Sequence, residues 1–341
     1  MASLDVFNQK PFSMIELSTA VRKLPYSPGF LGSLNLFRPR PIRTTVAMIE
    51  KLDGTLSLIQ TTPRGAPPEE GKRDKRNIIY KPTVRIAKGH TITANEIQNV
   101  RAFGSESELE GVMQVVVDES SRLRQQVELT HEHMRLGAVQ GKVLDADGSV
   151  LVDWASELGV SLPVEIDFDL DAASPASGVV RKKCNEVTRG VMRALGGLWV
   201  PGSSYIVALC GDAFWDDLTA HKEVRETYLN TMQAADLRSG NAFEQFQYGG
   251  ITWVNYRGTD DGSTVAVNTD KAKFIPANVP GLFDVAWSPG ESLSVVNTRG
   301  EALYSMIIRD RDRDAWVRPE VYSYPLYICT QPKALYSAKR T

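Results

Sequence analysis

Leu109, Val112, Val116, Leu123, Val127, Met134 and Ala138 recur at steps of three, four or seven, which keeps them on one stripe of a single helix. Ser105-Glu-Ser-Glu108 precedes them as a capping box, and Gly137 and Gly141 are the first stop signals. The pattern predicts a helix of about 30 residues, a rod of about 45 Å. So long a helix with one narrow stripe suits a rod laid across other elements better than one buried all round. Few compact folds accommodate it.

On both sides the pattern changes. Before the rod, Pro11, Pro25, Pro28, Pro39 and Pro41 exclude a long helix from residues 1–45, and the apolar residues there read as an arm lying on something else. Thr44–Glu50 then reads as a strand closed by Asp53-Gly54, and Thr55–Ile59 continues strand-like. Residues 61–76 hold Pro63, Pro67, Pro68, Gly65 and Gly71 with almost nothing apolar, and Ile78–Ile86 alternates as a returning strand. The simplest reading is a long two-stranded excursion with a basic tip, too weak to stand alone in water.

After the rod, residues 141–153 read as a hairpin about Asp147-Gly148, and Val164–Asp171 alternates apolar with acidic as a half-buried edge strand. A second helix is expected from Ser177 to Leu195, with Val180, Cys184, Val187, Val191 and Leu195 on one face and Gly196-Gly197 as its stop. Tyr205–Cys210 is a buried strand leading into Asp212–Leu218, followed by a helix over about 223–237. Strands are expected at Ile251–Tyr256, Thr264–Val267 and Ala302–Ile308. No internal repeat is visible.

Composition narrows the function classes. With 341 residues, 42% apolar and 23% charged, the chain is globular and can bury a large core. No apolar run is long enough for a membrane helix, and the first residues do not read as a secretory signal. Cys184, Cys210 and Cys329 are an odd number, widely spaced, and no Asn-x-Ser/Thr sequon occurs, so a reducing cytoplasm is the expected site of synthesis.

A net charge of −2 is too balanced for tight binding of nucleic acid by counterion release. The balance conceals a segregation. From Thr61 to His90, Arg64, Lys72, Arg73, Lys75, Arg76, Lys81, Arg85 and Lys88 face only Glu69, Glu70 and Asp74, a local net charge of +5. From Val143 to Gly178, Asp145, Asp147, Asp153, Glu157, Glu165, Asp167, Asp169 and Asp171 face no Lys or Arg, a local net charge of −8. The candidate contact residues are Arg64, Lys72, Arg73, Lys75 and Arg76 on one side, and Asp153, Asp167, Asp169 and Asp171 on the other.

Catalytic and ligand motifs fail on inspection. Gly65–Arg73 imitates a P-loop with the wrong spacing, no Ser/Thr after the Lys, and two prolines that remove cradling amides. His131-Glu-His133 starts like a zincin helix, but position 135 is Arg135, and residues two apart diverge; a solvated or interface role is expected. Asp167-Phe-Asp169-Leu-Asp171 lacks the glycine and the final bidentate carboxylate of a calcium loop. Arg309–Asp314 sums to zero and reads as a solvated strand or a row of ion pairs between subunits. No catalytic, metal or cofactor residues are assigned.

In order along the chain, Arg64-Gly65, Val100–Gly104, Gly148–Trp154, Ala208–Trp215 with His221, Tyr248–Ile251, Val296–Gly300, Tyr324–Leu326 and Gln331-Pro332 resemble the major capsid proteins of lambda-like tailed bacteriophages, the major capsid protein E family. The resemblance implies the Hong Kong 97-type capsid fold, of class α+β. It divides the chain into an N-terminal arm (1–45), an extended β-hairpin loop with its base strands (46–104), a spine helix with the peripheral domain (105–203), an axial domain (204–308) and a C-terminal return segment (309–341).

It further implies a non-enzymatic shell protein without cofactors, forming hexamers and pentamers of an icosahedral head assembled in the host cytoplasm. Scaffolding, decoration and portal proteins would be further partners, with only weak non-specific contact with the packaged DNA and no membrane. The alternatives are a bacterial shell compartment of the same fold, another virion component such as a connector or tail protein, and an enzyme built on His131, His133 or Asp212.

Overall fold

The structure is a computed structural model that describes residues 29–53, 75–94, 96, 108–172, 175–229, 245–256, 266–313 and 315–341. Its axis is α2, Glu108–Val139, whose 32 residues span about 48 Å. Val116, Leu123, Val127, Met134 and Ala138 are buried on the expected stripe. The capping box, Leu109 and Val112 fall outside the described side chains.

Through its middle α2 does lie as a rod across a sheet, with Leu123 and Val127 packed on Leu303 and Val321. From His131 onward it is buried nearly all round, which departs from the narrow-stripe expectation. The reason is local: Gly137 carries no Cβ, and an added one would sit 2.5 Å from the Lys142 carbonyl, so the hairpin β6 (Lys142–Leu144) and β7 (Val150–Asp153) closes onto the helix end.

The largest sheet has six strands in the order β10 (Gln245–Tyr248), β11 (Ile251–Asn255), β9 (Tyr205–Cys210), β12 (Lys271–Ala277), β17 (Tyr336–Lys339) and β8 (Ile166–Asp167). Trp253, Ala208 and Phe274 lie side by side in register on one face. Phe168 and Phe214, the latter from α5 (Asp212–Ala220), stack on that face. Helix α4 (Val179–Leu195) covers it further, burying the five apolar residues expected and ending where Gly196 turns to φ 52°. Gly249 and Gly250, both with positive φ, make the two-residue turn between β10 and β11 and let the chain pass against Cys184.

Two smaller sheets flank α2. One is β14 (Tyr304–Arg309), β15 (Trp316–Ser323) and β4 (Ile86–Gly89), with β5 (Ile92–Thr93) also on β15. The other is β1 (Arg38–Pro41), β13 (Phe283–Trp287) and β16 (Pro325–Cys329). Among the described residues, strands β2 (Val46–Asp53) and β3 (Lys75–Pro82) pair only with each other.

Several strand expectations are corrected. The ladder of β2 runs as far as Asp53, opposite Lys75, and the expected turn at Asp53-Gly54 lies at the edge of residues 54–74, which are outside the described residues. Regular pairing in Val164–Asp171 is confined to β8, because Asp169 turns to φ 51° and its amide bonds the Asp167 carboxylate. Ile166, Phe168 and Leu170 still point inward, with Phe168 and Leu170 amides donating to Lys339 and Arg340 carbonyls. Ala266 and Val267 form no strand, and the rest of that expectation lies outside the described residues. Helix α6 covers Lys222–Leu229, its expected continuation to 237 likewise lying outside. Asp310 is not in a strand: its carboxylate accepts the amides of Asp312, Arg313 and Ala315 and shapes the turn from β14 to β15.

Candidate assembly surfaces

The ribbon β2–β3 holds eight cross-strand pairs, from Val46 opposite Pro82 to Asp53 opposite Lys75. Alternation gives it two unlike faces. On one, Ala47 is buried and the Lys81 ammonium sits 2.7 Å from Glu157. On the other, Val46, Met48, Ile78 and Tyr80 are 39%, 58%, 42% and 63% exposed. An open apolar face on a two-stranded ribbon costs stability in an isolated subunit and marks a contact surface.

The charged candidates separate. Arg64, Lys72 and Arg73 lie outside the described residues; Lys75 and Arg76 stand at the outer end of β3, opposite Asp53 and Leu52, with their side chains outside the description. Asp153 caps the short helix α3 (Trp154–Glu157) through the Ala155 and Ser156 amides and meets Lys142 at 3.1 Å. Burial works against its charge, but Lys142 and those amides prevail and hold its pKa below the ordinary value. Asp167 is likewise lowered, first by its bond to Lys339 at 3.0 Å.

With Lys81–Glu157 and Lys271–Glu165, half of the acidic segment is matched inside the chain. Asp169 and Asp171 remain exposed, with no ion pair among the described residues. On α4, Lys182, Arg189 and Arg193 are exposed cations with no ion pair among the described residues. Counting charge by segment missed them, although the 3.6-residue period places them together.

The segment His131-Glu132-His133 is not solvated. His131 and Glu132 are buried, and each of the three side chains reaches a different part of the molecule. His131 Nδ1 meets the Tyr327 hydroxyl of β16 at 2.9 Å, with the Trp287 ring 5.4 Å away. Burial, with Arg135 adding repulsion, pushes its pKa down to about 3. Glu132 Oε1 accepts the Leu31 amide at 2.7 Å and the Tyr256 hydroxyl at 3.1 Å, while Oε2 accepts the Gly32 amide at 3.1 Å.

Arg135 lies 3.4 Å from Glu132 and 3.5 Å from Glu128. His133 Nε2 donates to the Asp145 carbonyl at 3.1 Å, which fixes its tautomer. One turn of α2 thus joins the arm, the end of β11, the three-stranded sheet and the β6–β7 turn. The signal was present, since Val127, His131, Met134 and Ala138 are spaced as one stripe and place His131 at a core position. Asp212 accepts a bond from Asn255. Among the described residues no group of His, Cys, Asp and Glu is arranged to hold a metal ion, and no helix is long and apolar enough to cross a membrane.

The comparisons agree with this architecture. The family described as phage major capsid protein E matches residues 13–340. The major capsid protein of Salmonella phage Felix O1 is 28% identical over 356 residues, covering 95% of each chain. Among solved structures, the putative capsid protein of an E. coli CFT073 prophage superposes with a TM-score of 0.61 at 15% identity, over 96% of this chain and 99% of that one. The capsid of the native GTA particle gives 0.51 at 12% identity, over 93% and 92%. The fold is the α+β fold of Hong Kong 97-type capsid proteins, and the chain belongs to the phage major capsid protein E family.

Proposed function

We propose that this chain is the subunit from which the icosahedral head of a tailed double-stranded DNA bacteriophage is built, as hexamers and pentamers enclosing the packaged genome. The observation that carries the reading is the ribbon β2–β3, whose row of Val46, Met48, Ile78 and Tyr80 is open in the isolated subunit and fits burial on a neighbouring copy. Scaffolding, decoration and portal proteins belong to the proposal, as do assembly in the host cytoplasm and residence in the virion. So does the division into arm (1–45), loop and base (46–104), spine and peripheral domain (105–203), axial domain (204–308) and return segment (309–341). The return segment is tied to its predecessor by the β14–β15 ladder.

The test is to express the full chain, image it, and repeat with Met48→Asp plus Tyr80→Asp. The wild type is expected to form shells or rings; the double variant is expected to stay a folded, unassembled subunit. Shells from the double variant at wild-type yield would overturn the role given to the ribbon, and a wild type that remains a compact dimer would overturn the shell reading.

The electrostatic part is a separate prediction. The loop residues Arg64, Lys72, Arg73, Lys75 and Arg76 are proposed to lie over a neighbour's acidic segment, where Asp169 and Asp171 have no ion pair among the described residues and Asp153 and Asp167 are already engaged. Complementary fields of this kind speed and orient encounter more than they deepen affinity, and salt screens them. Reversing Lys72, Arg73, Lys75 and Arg76 to Glu is expected to slow assembly at low salt, with the difference shrinking at high salt. Assembly rates unchanged at both salts would sink the idea.

A further inference from the structure

We infer that Glu132 is the positioning residue for the N-terminal arm: its buried carboxylate fastens the arm root at Leu31 and Gly32 and so fixes the direction in which the arm leaves the subunit toward its neighbours. The inference rests on the shell-subunit reading for its consequence, but its geometry is intramolecular. Glu132 is 3% exposed and is met from three sides, by the two arm amides, by the Tyr256 hydroxyl and by the Arg135 guanidinium.

The arm is cut to fit it. A Cβ on Gly29 would lie 2.3 Å from the Glu132 carboxyl carbon, so glycine there lets the backbone close over the carboxylate as it stands, and one on Gly32 would lie 3.0 Å from the Arg135 guanidinium. Leu31 is fully buried beside it, and the Phe30 ring meets Tyr256 edge-on at 6.1 Å. Further along the arm, Phe37 packs on Tyr327 and Phe283, β1 pairs with β13, and Arg40 reaches Asp284 at 2.7 Å.

Those later contacts hold the arm to the three-stranded sheet. Glu132 ties its beginning to the spine and, through Tyr256, to the end of the six-stranded sheet. A buried carboxylate taking several charge-assisted bonds is stiff, because losing any partner leaves charge unsatisfied. The arm root therefore turns as one body with the spine and that sheet.

The test uses the full-length unassembled subunit and two variants that spare the packing, Glu132→Gln and Tyr256→Phe. In Glu132→Gln the side-chain NH2 faces one of the arm amides, and exchange at Leu31 and Gly32 is expected to accelerate at least about ten-fold, the loss of one charge-assisted bond. Tyr256→Phe, which keeps both amide acceptors, is expected to accelerate it less. Global unfolding in urea checks that either variant remains folded. In parallel, Glu132→Gln particles are expected to form at reduced yield or with mixed sizes and shapes.

Unchanged exchange at the two amides in a folded Glu132→Gln would overturn the anchor. Faster exchange with normal particles would overturn its role in steering the arm while leaving the shell reading intact. A wild type that forms no shells strikes that reading instead, and the exchange measurement still decides the anchor.

Discussion

Trp253→Ala is expected to destabilise the unassembled subunit by about 3–5 kcal/mol. The indole is fully buried and sits among three rings from distant parts of the chain: Phe274 at 5.5 Å, Phe168 at 5.9 Å and Phe214 at 6.1 Å. It also donates from Nε1 to the Tyr248 carbonyl at 3.1 Å across the β10–β11 hairpin. Truncation leaves a cavity that the sheet on one side and α5 on the other are too tightly packed to refill, and it orphans a buried carbonyl.

Trp253→Phe separates the two effects. It keeps most of the contact area and loses the hydrogen bond, so about 1–3 kcal/mol is expected. Leu293, 94% exposed, is the control, and Leu293→Ala is expected to fall within about 0.5 kcal/mol of wild type. Urea unfolding of the three variants decides it. A Trp253→Ala subunit losing under about 1 kcal/mol would mean that this cluster is not the centre of the core.

The four rings also show where sequence reading reaches its limit. Local periodicity marked Phe168 as inward on an alternating segment, and it placed the buried face of α4 and the stripe of α2 residue by residue. A period, however, states which way a side chain points and not what it meets. The order β10-β11-β9-β12-β17-β8 unites strands from far apart in the chain, and no local signal in Ile166–Asp167 names Ala338 and Lys339 as its partners.

The arm is a second case. Pro39 and Pro41 speak against a long helix, yet they also permit a strand: Arg38–Pro41 becomes an edge strand on β13, a place where proline's missing N–H can face away from the ladder. Charge is a third. Segment counts set +5 against −8, but folding brings Lys81 of one segment onto Glu157 of the other within the same subunit, so part of the apparent attraction between copies is internal. Three polar residues in a row make His131 to His133 look solvated, although His131 stands on the apolar stripe and is buried there.

That same histidine gives the second large effect, a loss of stability in mild acid. In the folded subunit the His131 ring stays neutral to about pH 3, because burial penalises its charged form and Arg135 repels it. In the unfolded chain it takes a proton near pH 6.5. The unfolded state therefore binds more protons between these values. The stabilisation tied to the neutral ring is fully present above about pH 6.5 and is lost as pH falls from there toward 3, at up to about 1.4 kcal/mol per pH unit.

Asp153 and Asp167, whose pKa values are lowered by their partners, act in a different window: their contribution is present above the ordinary carboxylate pKa and is lost as pH falls below it. Measurements between pH 6.5 and 4.5 thus isolate the histidine. Urea midpoints of the unassembled subunit are expected to fall steeply across that interval. His131→Gln, which keeps an acceptor for the Tyr327 hydroxyl and cannot be protonated, is expected to begin less stable and to fall with a shallower slope. Parallel slopes for wild type and His131→Gln would mean that the folded subunit admits the proton, and that the buried junction in the last third of α2 opens in mild acid without unfolding.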